Sequence, residues 1–164
     1  MENLFKQIGV ILIGIGLLIG TSFSLKGVKE KNISKLATKK YSEVVGDLDS
    51  VKQIKIDDKY ILDKYEGFDH NNELIAYLYE ISGSNSYGEI TIILGVNPTN
   101  GKVIGMKALN VGQTLSVDLI TDAINSYRNN IDGKLDGLAG VTYAKDTINK
   151  MLESVNKDFN KGGK

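Results

Sequence analysis

Residues 89–111 read EITIILGVNPTNGKVIGMKALNV. Two apolar, β-branched runs, 89–96 and 102–111, flank Asn97-Pro98-Thr99-Asn100-Gly101. Proline pre-sets φ for a turn position and glycine accepts a positive φ, so this stretch predicts a β-hairpin. Upstream, 74–82 (LIAYLYEIS) is aromatic and β-branched, 60–65 is β-prone, and 51–56 (VKQIKI) alternates, so three more strands are expected. GSNSYG, residues 83–88, predicts a second turn. Downstream the period changes. Leu115, Leu119, Ile120, Ala123, Ile124 and Tyr127 share one helical face, and Ala144, Ile148, Met151, Leu152, Val155 and Phe159 make a longer stripe. Strands first and helices after predict an α+β fold, a mostly antiparallel sheet packed with C-terminal helices.

Composition narrows the chemistry. The chain has 164 residues, 20 basic and 20 acidic, and no net charge, so no global field favours nucleic acid. Without cysteine there are no disulfides, thiolate metal sites or thioether links, and His70 is the single histidine, which leaves little for zinc. Arg128 is the only arginine, so paired guanidinium clamps on phosphate are excluded.

The neutral total hides segregation. Gln7 to Leu25 carries no charge, and Ile8 to Leu25 (IGVILIGIGLLIGTSFSL) would span about 27 Å as a helix, enough for a bilayer core. Thr21-Ser22-Phe23-Ser24 offers no good small-x-small cleavage site, which favours an uncleaved anchor over a signal peptide. We therefore expect a transmembrane anchor over 1–25, a basic stalk helix or linker over 26–46, and a folded domain over 47–164. Lys26–Lys40 carries six lysines and one glutamate. The positive-inside rule would place that flank in the cytoplasm.

One segment carries candidate chemistry. Asp136-Gly137-Leu138-Ala139-Gly140-Val141-Thr142 precedes the last helix. Its glycines let backbone approach a ligand closely. Thr142 falls at the helix N-cap or in its first turn, where free amides and the macrodipole favour a phosphate, and Lys145 adds a cation one turn in. A plain threonine cap after a glycine turn has the same sequence.

The pattern Asp-Gly-x-x-Gly-x-Thr resembles the flavinylation motif of the FMN-binding domain family, which includes the G subunit of Rnf electron-transport complexes and the C subunit of sodium-translocating NADH:quinone reductase. Tyr87-Gly88-Glu89-Ile90, Leu94-Gly95-Val96-Asn97 and Asn100-Gly101-Lys102-Val103-Ile104-Gly105 resemble that family's Gly-Tyr-Gly, strand and hairpin. The similarity covers about Tyr60 to Val155. It implies FMN joined to Thr142 by a phosphoester, installed from FAD by a magnesium-dependent flavin transferase. It also implies flanking contacts from Asp136, Gly137, Leu138, Ala139, Gly140 and Val141, to which Lys145 would add its cation. Gln113 and Thr114 stand where the family has a longer loop beside the flavin. The implied protein is a single-pass membrane flavoprotein relaying electrons in a respiratory or extracytoplasmic chain, with other membrane redox subunits or extracytoplasmic carriers as partners. Its domain would face away from the cytoplasm, against the lysine flank.

Ala139 replaces the family's usual Ser or Thr, Val141 its Ala, and Ala144 a common Thr. These departures support a rival reading, an anchored domain of the same fold without flavin that serves as scaffold or ligand-binding module. Asp57-Asp58, Asp118 with Asp122, and His70 read as solvated polar positions rather than ligand sets.

Overall fold

The structure, a computed structural model, describes residues 32–136 and 141–162. The expected anchor over 1–25 lies outside the described residues. Among those described, no helix is long and apolar enough to cross a membrane. The chain divides into two compact units, Met1–Leu36 and Ala37–Lys164. Of the first, residues 32–36 are described and helical.

The second unit is built on five antiparallel strands in sequence order: β1 (Ser50–Ile54), β2 (Ile61–Phe68), β3 (Leu74–Asn85), β4 (Gly88–Val96) and β5 (Val103–Val111). Helix α1 covers residues 32–41, α2 is Val117–Ser126 and α3 is Thr142–Gly162. The α+β architecture and the antiparallel sheet are as expected. The β4–β5 turn forms as its residues dictate. Asn97 Oδ1 accepts from the amides of Thr99 and Asn100, and Gly101 takes φ 68°.

The β3–β4 turn is tighter than expected. β3 runs on through Gly83, Ser84 and Asn85, and Asn85 pairs with Gly88, leaving only Ser86 and Tyr87 in the loop. Turn-forming residues are held extended here by nine register pairs with β4. Tertiary pairing overrides local propensity.

Both faces of the sheet are covered, which explains the unbroken apolar run Ile92-Ile93-Leu94. Tyr79, Ile81, Ile92, Leu94 and Val96 face the cluster built from α2 and α3, with Ile120, Ile124, Ala144, Ile148, Met151, Leu152 and Val155. Ala76, Leu78 and Ile93 point the other way, against Ala37, Tyr41, Val45 and Leu48. The compact unit thus begins at Ala37, inside the segment expected as stalk. α2 starts later than its periodicity implied. Leu115 is in the preceding loop, Ser116 caps the helix at φ 57°, and Leu115 and Leu119 are exposed.

Lys64 ties α3 to the sheet. It is 7% exposed, bridges Asp158 Oδ2 at 2.5 Å, and lies over the rings of Tyr77 and Tyr79. The Tyr79 hydroxyl donates to the same Asp158 oxygen at 2.9 Å. Burial, then the adjacent Asp158 charge, pushes the Tyr79 hydroxyl well above its ordinary pKa, so it stays a donor.

Candidate functional site

Three chain segments converge at one end of the sheet. The first is the β3–β4 turn. Asn85 Oδ1 accepts the Tyr87 amide at 2.8 Å, and Asn85 Nδ2 donates to Thr147 Oγ1 of α3 at 3.2 Å. The turn is therefore pinned to the start of the last helix.

The second is the loop between β5 and α2. The Gly112 amide donates to Glu89 O at 2.8 Å, and the Gln113 Nε2 donates to Gly88 O at 2.9 Å. Gly88 has φ 136°, a conformation that side chains rarely tolerate, and a Cβ there would lie 1.8 Å from Gly112 O. The seam between turn and loop exists because position 88 is glycine.

The third is the beginning of α3. The Lys145 amide donates to Val141 O at 3.1 Å, the first intrahelical bond, so Val141 holds the N-cap position and Thr142 is the first helical residue. Of the two placements open from sequence, the first turn is the one found. Thr142 is exposed. Its amide and those of Tyr143 and Ala144 have no partner within the helix, which leaves the positive end of the macrodipole beside the hydroxyl.

Together with Ile120 of α2, these segments line a partly open cavity of about 200 Å³, formed by Tyr87, Gln113, Leu115, Ile120, Val141, Thr142, Tyr143 and Ala144. The Tyr87 and Tyr143 rings lie 5.4 Å apart, tilted by 55°, and both are exposed. Leu115, Ile120, Val141 and Ala144 give apolar walls. Gln113, by contrast, is a polar side chain only 7% exposed.

Of the residues singled out from sequence, Gln113, Val141 and Thr142 come together at this cavity. Thr114 is exposed and Lys145 half-buried, and neither lines it. Asp136 is exposed, outside the lining, at the edge of the described chain. Gly137, Leu138, Ala139 and Gly140 lie outside the described residues. Tyr87, Leu115, Ile120, Tyr143 and Ala144 were not expected as site residues. Tyr143 left one signal, an aromatic residue immediately after the candidate acceptor. Among the described residues no group of three His, Asp or Glu side chains is placed to hold a metal ion.

The arrangement is an α+β domain with an accessible hydroxyl at a helix start, beside a largely apolar cavity with aromatic rings at its rim. No family model matches the chain, and no curated protein is detectably similar to it.

Proposed function

We propose that this protein is a membrane-anchored flavoprotein that relays electrons through FMN joined covalently to Thr142. The observation that carries the reading is the position of Thr142. It is an exposed hydroxyl on the first residue of α3 and lines the same cavity as Gln113 and Val141.

The residues present fit the group. A phosphate on Thr142 Oγ would sit at the positive end of α3, with Lys145 one turn away. Leu115, Ile120, Val141 and Ala144 offer the apolar walls that a planar ring needs, and Tyr87 and Tyr143 offer aromatic faces. Exposure of Thr142 gives a flavin transferase access, and Asp136 is exposed for recognition by it. When bound, FMN supplies the one-electron chemistry, while the chain tethers it, orients it and limits water. On this reading the protein is an electron-transfer subunit with no small-molecule turnover of its own. Its membrane attachment is the apolar segment 1–25, and its domain faces away from the cytoplasm toward membrane redox subunits or soluble carriers.

A second reading, a ligand-binding or scaffold module without covalent flavin, draws on Ala139 and Val141, where the motif departs from the family's form. In-gel flavin fluorescence of the denatured protein, after co-expression with a flavin transferase, separates the two. A fluorescent band at the protein's mass supports the relay, and a dark band supports the module.

A further inference from the structure

We infer that Gln113 reads the ligand in this cavity, and that the cavity selects a planar ring that presents an N–H donor at its edge. The inference rests on the flavin reading and names the atom that recognises the ring. Gln113 lines the cavity and is 7% exposed. Its amide orientation is chemically forced. The partner of one end is Gly88 O at 2.9 Å, a carbonyl oxygen that can only accept, so the nitrogen must face it. The loop that carries Gln113 cannot easily shift to relieve this. It is pinned by the Gly112 amide on Glu89 O and by the close contact of Gly88 with Gly112.

That leaves Gln113 Oε1. Among the described residues it accepts no hydrogen bond, and the lining around it joins the apolar Leu115, Ile120, Val141 and Ala144 to the hydroxyl-bearing Tyr87, Thr142 and Tyr143. Water in the cavity can reach it, so a ligand that displaces that water must bring a donor in its place. A ligand that brings an N–H to Oε1 satisfies it, and one that brings a methyl group leaves it unpaired and adds a steric clash. The tilted Tyr87–Tyr143 pair at the rim fits a flat partner rather than an aliphatic one. The isoalloxazine ring has such an edge, an N–H between two carbonyls.

The test needs no transferase. The full chain, purified in detergent without flavin, is titrated with riboflavin and with 3-methylriboflavin, which differ only at that N–H, following flavin fluorescence. The wild type is expected to bind the methylated ring at least about tenfold more weakly. Gln113→Met is expected to bind both with the weaker affinity. Thermal melting checks that the variant is folded, and if it is not, the two ligands on the wild type decide alone. Equal affinity of the wild type for both rings, discrimination that persists in folded Gln113→Met, or no binding of riboflavin would each overturn the inference. The flavin reading fails separately, by absence of a covalent adduct in the presence of transferase. An adduct together with equal affinities would sink the Gln113 inference alone.

Discussion

Gly88 and Gly112 touch backbone to backbone, so closely that a Cβ on Gly88 would stand 1.8 Å from the Gly112 carbonyl oxygen. This contact joins the β3–β4 turn, which carries Tyr87, to the loop that carries Gln113. Gly88→Ala is therefore expected to destabilise by about 1–3 kcal/mol from backbone conformation alone, before the clash is counted. It should also displace Gln113 and reduce flavin loading. Thermal melting and flavin content measured on one preparation check this, and wild-type values for both would count against the seam.

Tyr41 is 1% exposed, and among the described residues its hydroxyl has no hydrogen-bond partner. Burial is the main cause that pushes its pKa far up, so it stays a neutral, unpaired donor. Tyr41→Phe removes the hydroxyl and keeps the ring that packs on Tyr65 at 5.6 Å. The variant should gain about 1 kcal/mol in denaturant unfolding. A loss of stability would show that the hydroxyl is satisfied.

Lys64 and Asp158 make a different case, because both partners are present. Asp158→Asn leaves a buried ammonium against Tyr77 and Tyr79 without its counter-charge, and should cost about 3 kcal/mol. Adding Lys64→Met should recover a large part of that loss, since an apolar chain of similar length fills the same space. A double-mutant cycle on unfolding free energy measures the coupling. Strictly additive effects would mean that the pair is not coupled.

Much of this architecture was legible, and the limits have physical causes. The strands showed through alternation and β-branching, and the turn at Asn97–Gly101 through its residue chemistry. The apolar spacing of Ala37, Tyr41 and Val45 was helical in the sequence, but spacing does not say what a helix covers, so its role beneath Leu78 and Ile93 was invisible. β3 extends through Gly83, Ser84 and Asn85, three turn-formers that only pairing with β4 keeps straight. At the site, Thr142 stood out by motif and Gln113 by its place in a shortened loop. Tyr87, Leu115 and Ile120 come from distant segments that the Gly88–Gly112 contact joins, and no local pattern encodes that meeting.

Asp58 predicts a pH effect. Burial acts to raise its pKa. Hydrogen bonds from Ser154 Oγ at 2.6 Å and from the Tyr60 and Ile61 amides outweigh it and hold the carboxyl below its ordinary 3.8. A folded pKa below the unfolded one gives stability that is fully present above the unfolded value and is lost as pH falls through the folded value. Asp58→Asn should therefore narrow the stability gap to wild type as pH drops below about 3.8. Unfolding curves collected between neutral and strongly acid pH test this, and a gap that stays constant would contradict it.

Attachment at Thr142 is the central claim. Val141, not Thr142, occupies the N-cap, so Thr142→Ala removes no capping position and alanine has the better helix propensity. Its stability should stay within about 0.5 kcal/mol of wild type. Thr142→Ser keeps an oxygen nucleophile with a freer χ1 and should retain partial loading. The direct measurement is intact mass of wild type, Thr142→Ser and Thr142→Ala, each co-expressed with a flavin transferase. The account predicts one FMN phosphoester on wild type, partial modification of the serine variant and none on the folded alanine variant. An unmodified wild-type chain, or an adduct that survives in Thr142→Ala, would contradict it.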